Sequence, residues 1–267
     1  MSVSLRYFYH NLRSLINNNE YKLLYNNKPF TIIQTSRGCT NNCIYCTSSL
    51  YSSQYVSRTV DSVISEVKEC KYKYDINNFM FLSDTFTVNR KWIEEFCKEI
   101  INQKLDVKWM CNSRVDNIDS SLAKLMKKAG CWLISLGIES YDENILINAK
   151  KNITCNQISQ TVTDLHSANI KTIGYFIFGL PGESNESIQR TIHFARKSYL
   201  DYAYFFHATP FPGTTLYEMA KRNHWLVSSN WKDYVHGKNV LLMSNSLSNE
   251  ELTDAVNIAY RKFYYCP

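Results

Sequence analysis

Three of the chain's nine cysteines fall within eight positions, Cys39, Cys43 and Cys46 in the stretch S-R-G-C-T-N-N-C-I-Y-C. The C-x3-C-x2-C spacing lets three sulfurs converge on one inorganic centre. A structural zinc site closes with four ligands, typically as two separated pairs, and here the second pair is missing. Cys70, Cys97, Cys111, Cys131, Cys155 and Cys266 stand singly, and no two of the six histidines have ligand spacing. A cubane four-iron four-sulfur cluster usually takes four thiolates, so three leave one iron open. An open iron can bind a substrate or cofactor directly, by the logic that separates catalytic from structural zinc.

Such a loop must be carried by rigid elements. Short apolar, β-rich runs recur at 31–36, 78–83, 107–112, 132–137, 171–178 and 202–208, with helical patterns between them. This predicts six βα units around a parallel sheet. Trp92, Ile93, Phe96 and Ile100 keep helical spacing, as do Ile188, Thr191, Ile192 and Ala195 behind a cap at Ser184 or Asn185. Residues 1–30 read as a helical lead-in, 31–225 as the barrel, and 226–267 as a loop followed by a helix from about 250 to 265. In barrels of parallel strands the chemistry sits at the carboxyl ends of the strands. Those ends are polar here: the cysteine loop, then Asp84 and Thr85, then Asn112 with Ser113, Arg114 and Asp116, then Glu139 and Ser140, then G-L-P-G-E, then His207 and Thr209.

At 267 residues, with 45% hydrophobic and 14% aromatic residues, the chain has material for one large core. The net charge, 30 − 24 = +6, is spread along the chain rather than gathered in a tract. There is no signal-peptide pattern and no run of 18 apolar residues, which predicts a cytoplasmic protein with no membrane span. In that compartment nine cysteines, an odd number, are expected as thiols or metal ligands rather than a disulfide framework.

The loop C-T-N-N-C-I-Y-C resembles the signature of the radical S-adenosylmethionine (radical SAM) enzymes. The resemblance runs over about 31–217, through F-L-S-D-T-F-T, W-M-C-N-S-R-V-D, A-G-C-W-L-I-S-L-G-I-E-S, G-Y-F-I-F-G-L-P-G-E and T-P-F-P-G-T. It is most similar to the branch of cobalamin-dependent members, methylthiotransferases and coproporphyrinogen dehydrogenases. It implies an α/β fold, a partial (βα)6 TIM-type barrel, and two cofactors, a 4Fe-4S cluster and S-adenosylmethionine. Cleavage of that cofactor's sulfonium by one electron yields methionine and a 5′-deoxyadenosyl radical, which abstracts hydrogen from a substrate.

Carried residue by residue, the resemblance makes Cys39, Cys43 and Cys46 the cluster ligands and sets Tyr45 near the adenine. Ser83 and Asp84 meet the cofactor's amino group, with S-D in place of the commoner Gly-Gly-Glu. Glu139 meets the ribose hydroxyls, and Lys151, or the adjacent Lys150, meets the carboxylate. Gly179 and Gly182 let the backbone approach the adenine, with Pro181 stiffening the turn. Asn112 and Arg114 face the pocket, with an Arg114–Asp116 pair as the structural alternative, and His207 is a candidate substrate contact.

Only about 30 residues precede the first strand, too few for the cobalamin domain of that branch, so methyl transfer by the chain's own cobalamin is not expected. The expected partners are a reductant such as flavodoxin or ferredoxin and a small-molecule or peptide substrate. A tRNA substrate is an alternative that the scattered basic charge does not favour. A truncated, non-catalytic cluster-binding protein is the other.

Overall fold

The structure is a computed structural model and describes residues 13–23, 27–51, 54–234, 240–242 and 247–265. Six strands, β1 (Phe30–Gln34), β2 (Asn78–Leu82), β3 (Lys108–Arg114), β4 (Cys131–Glu139), β5 (Lys171–Phe178) and β6 (Tyr202–His207), lie side by side in chain order. Every neighbouring pair is parallel. Parallel neighbours require crossovers, and helices supply them. These are α1 (Val60–Tyr74), α2 (Arg90–Asn102), α3 (Ser120–Lys128), α4 (Glu143–Asn148), α5 (Cys155–Ser167) and α6 (Asn185–Lys197), followed by α7 (Thr215–Arg222) and α8 (Asn249–Tyr264).

The helices begin where short polar side chains can accept the first free N–H groups. Thr59, Asn89, Asp119, Asp142 and Thr214 cap α1, α2, α3, α4 and α7. Thr154, Ser184 and Ser248 form reciprocal capping boxes on α5, α6 and α8. Of the two caps expected for α6, Ser184 is the one used.

The helices cover one face of the sheet. Phe79, Phe81, Trp109, Ile134, Leu136, Phe176 and Phe205 are buried on that face against Val63, Ile93, Phe96, Leu122, Leu165 and Ile188. Alternate positions point to the concave inner face, where Ile32, Leu82, Tyr202 and Tyr204 stay exposed. The sheet is open, with β1 and β6 as its edges: an α/β partial (βα)6 barrel. Along β6, helix α8 takes the place of a further strand. The Tyr264 hydroxyl accepts from Ala203 N–H at 3.1 Å and donates to Ala203 C=O at 3.0 Å, and the Tyr260 hydroxyl does the same at Phe205.

The lead-in expected over 1–30 falls partly outside the described residues. Its described part holds a short 3-10 turn, Asn18–Glu20, and a bridge between Lys22 and Pro29. Among the described residues no helix is long and apolar enough to cross a membrane.

Candidate active site

The cysteine loop leaves β1 through a two-residue antiparallel pairing of Ser36–Arg37 with Val56–Ser57. Its middle is pinned from two sides: Ile44 N–H donates to Ala149 C=O at the end of α4, and Leu216 N–H of α7 donates to Ile44 C=O. Ile44 itself is buried in a small second core with Ile145, Leu180 and Leu216. The loop is therefore a packed element rather than a free excursion.

Each sulfur has its own surroundings. Cys39 Sγ accepts from the backbone and side-chain N–H groups of Asn41 at 3.5 and 3.4 Å, with Thr85 Oγ1 at 4.0 Å. Cys46 Sγ accepts from Ser48 N–H at 3.4 Å. Cys43 is buried, with the Arg114 guanidinium 3.7 Å from its sulfur. Burial pushes its thiol up, partly offset by the positive charges of Lys151 and Arg114. Among the described residues no three His, Cys, Asp or Glu side chains are placed to close on a single metal ion. The four buried cysteines of the helix and strand interiors, Cys70, Cys97, Cys111 and Cys131, are packing residues. Cys266 lies outside the described residues.

The other expected residues gather around this loop. Asp84 reaches it directly, accepting from Gly38 N–H at 2.6 Å and from the Ser48 hydroxyl at 2.9 Å. Asn112 uses Nδ2 on the carbonyls of Ser83 and Asp84, at 2.8 and 3.2 Å, which orients its amide. Its Oδ1 and the Ser83 Oγ are left buried without hydrogen-bond partners. Arg114 pairs with Asp116 at 2.9 Å, the structural alternative, and also donates to Lys151 C=O at 2.7 Å while facing Cys43. Lys151, not Lys150, turns inward: it is buried and bonded to Glu139 at 2.8 Å, whereas Lys150 is exposed.

Glu139 ends β4 at an irregularity in register, with φ +67°, a left-handed conformation that a non-glycine residue adopts at a cost. Its carboxylate and the Lys151 ammonium lie over Gly137, where a Cβ would stand only 2.7 and 2.8 Å from them. Sequence reading passed over Gly137; the signal was a glycine inside a strand, which marks a close approach. Tyr45 is half-buried next to Glu139 and Cys43, and burial, then those two neighbours, hold its hydroxyl well above the usual range.

Gly179 and Gly182 have φ +91° and +88°. The space beside them is filled by protein: a Cβ would meet Leu252 at 3.3 Å in the first case and the Asn148 amide at 2.6 Å in the second. The turn's conformation and these contacts require glycine whatever the turn binds. His207 is buried at the end of β6, and desolvation holds its imidazole below its ordinary value. A groove of about 1120 Å³ opens elsewhere, outside the barrel between α5 and α6, and no cysteine-loop residue lines it.

The model of the radical SAM superfamily matches residues 33–195, more than half of the chain. The chain belongs to the radical SAM superfamily. It is 37% identical over 240 residues, 90% of its length and 52% of the relative's, to an uncharacterized methyltransferase of Pyrococcus horikoshii. It is 29% identical over 240 residues, 89% of its length and 43% of the relative's, to the anaerobic magnesium-protoporphyrin IX monomethyl ester cyclase of Rubrivivax gelatinosus. Among solved structures, the radical S-adenosylmethionine methyltransferase TsrM of Kitasatospora setae superposes with a TM-score of 0.69 at 18% identity, over 91% of this chain and 48% of that one. This likeness concerns the fold alone. The chain spans about half the length of the curated relatives it matches.

Radical SAM enzymes use a 4Fe-4S cluster and S-adenosylmethionine. The residues present suit both groups. Cys39, Cys43 and Cys46 on one packed loop supply the three thiols that a cluster with one open iron requires. The two orphaned oxygens of Ser83 and Asn112 are acceptors that an ammonium group would satisfy.

Proposed function

We propose that this chain is the catalytic barrel of a radical SAM enzyme, with Cys39, Cys43 and Cys46 holding the cluster. The bound pair supplies reductive cleavage of the sulfonium and a 5′-deoxyadenosyl radical that takes a hydrogen atom from a small-molecule or peptide substrate. The protein's residues hold, aim and shield. Arg114 and Lys151 place positive charge beside the buried Cys43 and favour its thiolate. Ser83 Oγ and Asn112 Oδ1 accept from the amino group, Lys151 faces the carboxylate, and Glu139 accepts from the ribose hydroxyls. Tyr45 and the turn from Gly179 to Gly182 border the adenine. A reduced flavodoxin or ferredoxin in the cytoplasm delivers the electron.

The observation that carries this reading is the set of three sulfurs in three different settings, ringed by the carboxyl-end residues of β2, β3 and β4. The inner face below them exposes Ile32, Leu82, Tyr202 and Tyr204, with Lys171 at the start of β5 over the Tyr202 ring, and this largely apolar lining suits a compact substrate better than an RNA, whose binding rests on many cations facing phosphate. The test is anaerobic reconstitution with iron and sulfide, reduction, and measurement of iron per chain and of 5′-deoxyadenosine after S-adenosylmethionine is added. A Cys39→Ala, Cys43→Ala, Cys46→Ala triple variant runs beside the parent. Cluster uptake and cofactor cleavage in the parent alone support the reading; equal iron uptake by both proteins would remove it.

A further inference from the structure

The carboxylate of Asp84 is already engaged. Its two oxygens grip the two ends of the cysteine loop, Oδ2 at the N–H of Gly38, directly before Cys39, and Oδ1 at the hydroxyl of Ser48, two residues past Cys46. Both grips lead to a sulfur. Gly38 adopts φ +82°, so the peptide entering Cys39 is held in a conformation that glycine tolerates. Ser48 returns to Cys46 through its own N–H at 3.4 Å and a thiol–hydroxyl contact at 3.3 Å. Thr85, the next residue after Asp84, stands 4.0 Å from Cys39 Sγ. Asp84 is itself braced, because Asn112 Nδ2 donates to its carbonyl and to that of Ser83.

We infer that Asp84 is a positioning residue, a clasp that presets Cys39 and Cys46 for the cluster, and that its negative charge is not what recognises the amino group of S-adenosylmethionine. This rests on the proposed function above. Fixing a loop before its ligand arrives removes ordering entropy from the binding step. A carboxylate accepting a backbone N–H and a hydroxyl is a short, charge-assisted way to do so. Cys43 needs no such clasp, being buried and faced by Arg114. The acceptors left over for an ammonium are the unpartnered oxygens of Ser83 and Asn112.

The two roles of Asp84 separate in an isosteric variant. In Asp84→Asn, the amide oxygen can still accept from Gly38 and the amide nitrogen can donate to Ser48, so the clasp survives while the charge goes. In Asp84→Ala both grips are lost, and in Ser48→Ala one of them is. The full chain is reconstituted anaerobically, and three quantities are read: iron and sulfide per chain, the rate of iron loss to a chelator, and S-adenosylmethionine binding by equilibrium dialysis. Folding of each apo-protein is checked by circular dichroism. The expected result is iron loss faster by at least about tenfold in Asp84→Ala, since one lost charge-assisted hydrogen bond already corresponds to about that factor and both grips go, and a smaller acceleration in Ser48→Ala. Asp84→Asn is expected within about twofold of the parent in iron retention and cofactor affinity. Parent-like retention in both Asp84→Ala and Ser48→Ala overturns the clasp. So does an Asp84→Asn protein that keeps its cluster but binds S-adenosylmethionine about tenfold more weakly, since the carboxylate would then be the ammonium's partner. If Asp84→Ala fails to fold, Ser48→Ala and Asp84→Asn decide the matter. A parent that retains no more iron than the triple cysteine variant removes the proposed function, and the clasp with it.

Discussion

Phe79, Phe81, Trp109, Phe176 and Phe205 on the outer face of the sheet are sealed beneath helices, while Ile32, Leu82, Tyr202 and Tyr204 on the inner face keep between 40% and 47% of their surface in contact with solvent. Both sets are apolar or aromatic, and both come from the same strands at alternate positions. A sheet apolar on both faces is what parallel strands normally show, because helices or a closed barrel cover both. Here the covered face stores the stability, and the open face leads upward to the cysteine loop. The two faces should therefore respond differently to the same kind of substitution.

Trp109 is the largest side chain wholly buried on the outer face. It meets Phe81 and Phe86 at 5.6 Å and Phe96 at 5.9 Å, and its indole N–H donates to Ala129 C=O at 2.8 Å. Trp109→Ala removes the ring, leaves a cavity and strips a buried carbonyl of its donor, for an expected loss of about 3–5 kcal/mol. Urea unfolding checks it, and a loss below about 1 kcal/mol would mean the outer face does not carry the stability assigned to it.

Of the acids buried among the described residues, Glu183, in the turn after β5, is the most completely buried. One of its carboxylate oxygens accepts from the Ser187 hydroxyl at 2.6 Å and the other has no partner. Burial, the main cause, and nearby Asp142 raise it from an ordinary 4.5 to about 7. Below pH 4.5 the group is neutral in both folded and unfolded chains and costs nothing. Between about 4.5 and 7 the unfolded chain ionises first, so stability falls with rising pH, by up to roughly 3 kcal/mol before levelling. Glu183→Gln should lack that decline. Melting profiles at pH 5 and pH 8 that fall in parallel for parent and variant would rule it out.

The outer face was also the more legible one. Apolar runs placed all six strands, each observed within one or two residues of its expected limits, because these strands carry apolar or aromatic residues toward both faces, the helix-covered one and the open one, and so read as continuous apolar stretches. The cysteine spacing was equally plain. What the residue pattern could not show depends on contacts between distant segments. The register irregularity that turns Glu139 over Gly137 exists only once β4 and β5 are paired. Lys151 and Lys150 are indistinguishable neighbours until the end of α4 sends one inward and the other to solvent. Asp84 is one polar residue among several at the strand ends, and its hold on Gly38 and Ser48 spans 46 and 36 positions of chain.

The edge at β6 joins the two faces, and the hydroxyls of Tyr260 and Tyr264 occupy hydrogen-bonding groups that an added strand would otherwise use. The double change Tyr260→Phe, Tyr264→Phe keeps the rings and removes both hydroxyls. Each hydroxyl should be worth about 1 kcal/mol, and the freed edge should promote self-association, visible as a concentration-dependent rise in light scattering. A variant as stable and as monodisperse as the parent would show that the contact of α8 with β6 is apolar packing alone.

Tyr204 gives the smallest effect and the sharpest contrast with Trp109. It lies on the inner face with 44% of its surface exposed, beside Tyr175 at 5.6 Å and Phe206 at 6.1 Å. Tyr204→Ser removes an aromatic ring from a strand, as Trp109→Ala does, but from a place where no helix closes over it. The expected loss is under about 1 kcal/mol, the residue of ring-to-ring contact across and along the sheet. Iron retention by the reconstituted cluster should not change, because the cysteine loop is held by Asp84, Ile44 and α7 rather than by this ring. Should Tyr204→Ser instead cost as much as Trp109→Ala, the inner face would be a structural core like the outer one, and the division of labour between the faces would not hold.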